Sequence, residues 1–142
     1  MIYTQLTKVA MRVAYEAHHG QVDKAGVPYI FHPVHLAEQM TDEYTTITAL
    51  LHDVMEDTSI TVDYLAEQGF PDEVLEALLL LTHDQSVTYT DYILALKGND
   101  IAKAVKNADL RHNSDVTRLC VVSEQARARA EKYAQALALL WE

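Results

Sequence analysis

The sequence is short of most things that would make a small chain exotic. It has one cysteine, Cys120, so no intramolecular disulfide can form and cysteine-rich zinc motifs are excluded, which fits a reducing compartment. Four glycines and three prolines sit only at plausible element boundaries, so the chain is expected to be ordered from end to end. No apolar run reaches membrane-spanning length, and the N-terminus lacks the basic, apolar and small-residue blocks of a signal peptide. A cytoplasmic protein without a membrane partner is expected. Basic residues are scarce as well: eleven against twenty-one acidic ones give a formal net charge of -10, which argues against a nucleic-acid partner bound through a basic face. A phosphate-bearing ligand would need a bound cation or a local cluster of Lys and Arg.

What is present is helical periodicity. The 142 residues suit one domain with a real core, and apolar residues recur at three- and four-residue spacing throughout, which predicts an all-α, single compact helical bundle over 1–142. Leu6, Val9, Val13 and Ala17 line a first helix that Gly20 ends, and an ordered loop runs on to Phe31. His32 precedes Pro33, which places it at the corner before a helix reaching about Met40. A third helix is expected from about Tyr44 to Glu56, and Thr61 caps a short one. After a left-handed stop at Gly69, Pro71 opens a helix whose Val74, Leu75, Leu78, Leu79 and Leu81 mark it as the central one. Further helices are expected at about Thr90 to Lys97, Asp100 to Asn113 and Ser123 to the end.

Two clusters carry chemistry. On the third helix, His52 lies under Glu56 and Asp53 under Asp57, so four ionisable groups share a patch away from Ile47, Leu50, Leu51 and Val54. Near the second, Asp109 shares a helix face with His112 and Asn113. Either cluster alone is more often a solvated helix face than a site. Their order decides more: a His before a proline, an HD dipeptide twenty residues on, and an Asp opening an A-D-x-x-H-N run.

This H...HD...D order resembles the HD-domain phosphohydrolases, and within them the hydrolase domain of the RelA/SpoT-type (p)ppGpp enzymes and small stand-alone SpoT homologues. The blocks that carry it are Ala17-His18-His19-Gly20-Gln21 with Lys24, Gly26-Val27-Pro28-Tyr29 leading to His32-Pro33, Ala49 to Thr58, and Lys106 to Asn113. The resemblance implies a metal held by His32, His52, Asp53 and Asp109. Two imidazoles and two carboxylates suit Mn²⁺ or Fe²⁺ with open octahedral positions, and Zn²⁺ is the alternative. It also implies that Glu56 and Asp57 activate water and shuttle protons, that Asn113 orients water or a phosphate, and that Lys24, Arg129 and Tyr133 contact a small-molecule nucleotide. His18 braces the loop.

The implied activity is 3′-pyrophosphohydrolysis of a guanosine nucleotide such as ppGpp, without a synthetase domain. Two departures stand out. The family's loop arginine, which packs on guanine, is Asp23 here, and a lysine of its middle segment is Gln85. Hydrolysis of another nucleotide or small phosphate ester, or non-catalytic nucleotide sensing, are therefore the alternatives. The sequence leaves the oligomeric state open, with Leu137, Leu140 and Trp141 assigned to the core.

Overall fold

A computed structural model describes residues 1–142 as a helical bundle with no strand beyond a single bridge pair, Val22 with Pro28. Capping side chains mark where most helices begin. α1 (Gln5–Ala17) opens on a capping box in which the backbone N–H of Thr7 donates to the Thr4 hydroxyl at 3.1 Å and that of Thr4 to Thr7 at 2.7 Å. Its small residues Ala10 and Ala14 are fully buried, while Leu6, Val9 and Ala17 pack only partly against the core. α2 (Phe31–Glu38) starts two residues before the expected point. His32 therefore lies inside the first turn, and Pro33, which has no N–H to offer, sits where the helix needs none.

α3 (Glu43–Leu51), capped by Asp42, is buried at every position from Thr45 to Leu51 and packs on α1, α2, α6 (Asp72–Leu81) and α8 (Asp100–Ser114). It is the central helix, in place of α6, whose Leu79 is 54% exposed. The expected continuous helix to Glu56 is interrupted. The His52 ring turns back so that Nδ1 meets the Ala49 carbonyl at 2.8 Å, and after the His52–Asp53 turn a single helical turn, α4 (Val54–Asp57), resumes. α5 (Val62–Glu67) follows the Thr61 cap, and Gly69 takes φ +95° before Pro71 and α6.

α7 (Tyr89–Leu96) and α8 are capped by Thr88 and Asn99. A 3-10 turn over Val116–Arg118 leads to α9 (Glu124–Trp141), capped by Ser123. One hydrophobic cluster joins these helices, with Leu36, Ile47, Leu50, Leu78, Leu96 and Leu140 among its fully buried members, each contributing about 1.5–3 kcal/mol by leaving water. Trp141 is not among them. It lies 57% exposed against the outside of α8, where its indole N–H donates to Asn107 at 3.0 Å and Lys103 covers its ring. No helix is long and apolar enough to cross a membrane.

Candidate metal centre and cleft

The chain break after α3 and the first turn of α2 meet α8 at one buried point. His32, His52 and Asp109 are each no more than 5% exposed, and one ligand-type atom from each lies within 4.8 Å of the others. Asp53 joins through Oδ2, 3.0 Å from His52 Nε2 and 4.0 Å from His32 Nε2. Its position on the turn, rather than inside a helix, swings that carboxylate towards the same point.

The protons around the cluster define what it lacks. His52 turns Nδ1 to the Ala49 carbonyl, so Nε2 is left to face Asp53 Oδ2 and, at 3.6 Å, Asp109 Oδ1. It is buried and has no hydrogen-bond partner. His32 Nδ1 meets His112 Nδ1 at 2.7 Å, and its Nε2 stands 3.0 Å from Asp109 Oδ1. Burial, and then the Arg118 charge, push the His112 pKa down to about 4, so His112 is a neutral partner that orients His32.

Burial alone would lower the His52 pKa, yet the Asp53 and Asp109 carboxylates reverse this and hold it well above the usual histidine value. Burial would raise Asp109, but Lys106 and the two histidines hold it well below the carboxylate range. Imidazole nitrogens gathered among carboxylate oxygens call for positive charge at this point, which a proton on His52 supplies in part. A divalent cation fits that demand, and two nitrogens with two oxygens fit a first-row ion.

Around the cluster stands a second set of partners. Lys106 Nζ donates to Asp109 Oδ2 at 2.9 Å, and the Asn113 amide donates to Asp109 Oδ1 at 2.9 Å. Asn113 thus touches a ligand-type carboxylate directly, while still bordering the cleft. The Tyr29 hydroxyl donates to Asp53 Oδ2, and burial followed by the Asp53 charge keeps that phenol protonated. The i, i+3 spacing of Lys106 and the i, i+4 spacing of Asn113 from Asp109 are usable signals for two of these, and no spacing points to Tyr29.

Two recesses meet at the cluster and share Tyr29, Asn113 and Tyr133. The larger, about 380 Å³, brings together Lys24 from the α1–α2 loop, Arg129 and Tyr133. The smaller, about 260 Å³, holds Glu56 and Asp57 beside Asp53 and Asp109, with Lys106 and Lys132 among its walls. Glu56 Oε1 accepts from the backbone N–H of His83 at 2.8 Å, which ties it to the α6–α7 loop. Burial first, then the charges of Asp53 and Glu56, raise the Asp57 pKa to about 6. Lys132 lies over the Tyr89 ring, 4.1 Å from its centroid, and the Tyr89 hydroxyl is buried without a partner.

The α1–α2 loop is ordered from within: the Val22–Pro28 bridge, Gly26 at φ +81°, and His18, whose Nδ1 meets Gln21 at 2.9 Å while its ring packs on Tyr29 at 4.9 Å. Asp23 anchors the turn and faces Arg118. Gln85 is exposed and lines neither recess.

Known proteins resemble the chain over nearly this whole framework. The family model described as an HD domain matches residues 10–138. A guanosine-3′,5′-bis(diphosphate) 3′-pyrophosphohydrolase of Borreliella burgdorferi is 30% identical over 138 residues, 87% of this chain and 20% of that protein. One from Aquifex aeolicus is 33% identical over 135 residues, 87% of this chain and 19% of its own length. A probable GTP pyrophosphokinase of Mycobacterium leprae is 34% identical over 135 residues, 86% and 17% respectively. The chain thus spans about a fifth of the length of these relatives. A solved structure, described as a metazoan ortholog of SpoT that hydrolyzes ppGpp and plays a role in starvation responses, superposes with a TM-score of 0.80 at 23% identity, over 99% of this chain and 88% of that one.

Proposed function

Because this chain belongs to the HD-domain family, we propose that it is a metal-dependent phosphohydrolase that removes the 3′-pyrophosphate of a guanosine nucleotide such as ppGpp. The observation that carries the reading is the buried cluster of unpaired His52 Nε2, His32 Nε2, Asp53 and Asp109 at the junction of two recesses that both carry cations.

His32, His52, Asp53 and Asp109 would hold the ion, Mn²⁺ on this donor set, with Fe²⁺ or Zn²⁺ as alternatives. When bound, a divalent cation supplies Lewis acidity towards a phosphoryl oxygen and lowers the pKa of water beside it. Glu56 and Asp57 border the same recess and take the proton from the attacking water, Asp57 being raised into the range where a carboxyl both accepts and returns protons near neutrality. Asn113, fixed by its bond to Asp109, orients the water with its amide oxygen or a phosphate with its remaining N–H. Lys24, Arg129 and Tyr133 bind the phosphates on the nucleoside side, and Lys132 stands opposite them on the diphosphate side. Tyr29 and Lys106 keep the ligand carboxylates aimed and neutralised. A cytoplasmic setting belongs to the same proposal, supported by the free, exposed Cys120.

The test is incubation of the purified protein with Mn²⁺ and ppGpp, with pyrophosphate release followed over time. Release that stops on chelation and returns with added metal is expected. No release from protein shown to bind the metal would discard the substrate. Asp23 gives one second reading a foothold: a carboxylate stands where an arginine is expected, so another nucleotide or small phosphate ester is the competing substrate, and a phosphate-ester panel separates the two.

A further inference from the structure

The smaller recess carries two neighbouring phenols, Tyr89 and Tyr92, and the fold uses only one of them. The Tyr92 hydroxyl donates to the Leu81 carbonyl at 2.5 Å. The Tyr89 hydroxyl, on a ring 5.8 Å from that of Tyr92, is buried and has no partner. Burial, the largest influence on it, raises its pKa, so the group stays protonated and keeps a hydrogen to donate. A buried donor left unmet costs stability, and the fold carries that cost here. The two lysines of the recess divide in the same way. Lys106 is spent on Asp109 at 2.9 Å, whereas Lys132 meets no carboxylate and rests over the Tyr89 ring, 4.1 Å from its centroid.

An unspent O–H and an unspent ammonium therefore stand together in one wall, and an anionic oxygen is the acceptor that answers both. Asp53, Glu56, Asp57 and Asp109 line the same recess, so such an anion enters only when a cation at the cluster offsets them. A phosphate held at the cluster already has that cation and Asn113 to answer it, which leaves Tyr89 and Lys132 for the oxygens of a second phosphate joined to the first. We infer that the Tyr89 hydroxyl, with Lys132 beside it, binds the second phosphate of a diphosphate group and makes the site prefer diphosphates over single phosphates. The inference rests on the reading of the cluster as a phosphohydrolase centre, and it bears on the competing substrates: a plain phosphate monoester leaves a buried donor unmet. Gln85 lines neither recess, so the cation for the second phosphate comes from α9.

The experiment is calorimetric titration of the full chain in excess Mn²⁺ with inorganic pyrophosphate and, separately, with inorganic phosphate. Pyrophosphate should bind at least about tenfold more tightly. Tyr89→Phe removes only the hydroxyl, and it should weaken pyrophosphate about tenfold while phosphate and Mn²⁺ affinities stay within about twofold. Lys132→Gln should weaken pyrophosphate by a similar factor, again with phosphate unchanged. Because the hydroxyl bonds nothing in the fold, metal-free Tyr89→Phe should melt no lower than the original protein, which separates a ligand donor from a structural one. No binding of pyrophosphate, equal affinity for the two anions, pyrophosphate binding unchanged in either variant, equal losses of both anions, or a lowered melting temperature of Tyr89→Phe overturns the assignment. The two readings fail separately. Pyrophosphate binding that depends on Tyr89, without ppGpp turnover, removes only the hydrolase substrate, and turnover with pyrophosphate binding unchanged in Tyr89→Phe removes only the second-phosphate site.

Discussion

At the metal-type end of the cleft the functional side chains come from α2, from the α3–α4 turn and from α8, and they are buried; at the nucleoside end Asp23 and Lys24 lie in a loop and Arg118 on a single 3-10 turn, all nearer to water. The same kind of interaction, a carboxylate beside a cation, therefore has different weight at the two ends. Lys106 and Asp109 meet at 2.9 Å in a dry site, where loss of either leaves an uncompensated charge. Asp23 and Arg118 meet at 3.7 Å with solvent around them, where a pair is worth little to the fold. The buried end is thus tied into the scaffold, and the loop end rests on parts that the fold can spare.

The largest effect that would break this contrast is at Asp109. Asp109→Asn should weaken Mn²⁺ binding by more than about a hundredfold and, because Lys106 loses its buried partner, destabilise the metal-free protein by about 3 kcal/mol. Metal titration and urea unfolding check the two parts. Metal affinity within threefold of the original would show that Asp109 is no ligand.

Glu56→Gln comes next. Its carbonyl-type oxygen can still accept from His83, so the loop should stay in place and metal affinity should stay within about twofold. The rate should fall by about 10²–10⁴, the usual worth of a positioned base. A variant with full turnover would move the proton-handling role elsewhere.

Lys24→Ala tests the exposed end. We expect KM for ppGpp to rise about tenfold with kcat little changed, and stability to stay within about 0.5 kcal/mol. A large loss of stability would mean that the loop charge belongs to the fold after all.

The same contrast explains what the sequence could disclose. His52 and Asp53 are adjacent, and Asp109 lies in a short helical run, so short-range spacing exposes the convergent residues, and helical periodicity exposes most of the bundle. The break after Leu51 was hidden because it comes from the His52 ring bonding back to Ala49, not from a glycine or proline. The leucines of α6 outnumber those of α3 and point to α6 as the centre, but the threonines of α3 are buried too. Trp141 lies outside because a neighbouring amide and a lysine receive it, which no periodicity encodes. Tyr29, His112 and Arg118 act on partners far along the chain, and only the folded geometry joins them.

The smallest effect is at Asp57, in the smaller recess beside Asp53 and Asp109. Its pKa is raised to about 6 by burial and by the neighbouring Asp53 and Glu56 charges, against about 3.9 in an unfolded chain. The folded state therefore binds this proton more tightly than the unfolded one, and stability is lost as pH rises from about 4 through about 6. Asp57→Asn removes that loss, so the variant should gain on the original protein as pH rises across this window, by less than about 1 kcal/mol because the carboxyl is partly solvated. Urea midpoints of the metal-free proteins at the two ends of the window measure it, and a constant difference between them would mean that Asp57 titrates normally. With Mn²⁺ present the slope should shrink, since a cation at the cluster offsets the repulsion from Asp53 while burial still raises the carboxyl. If it is unchanged in metal-loaded protein, Asp57 does not sense the ion, and its role in handling the proton of the attacking water falls with it.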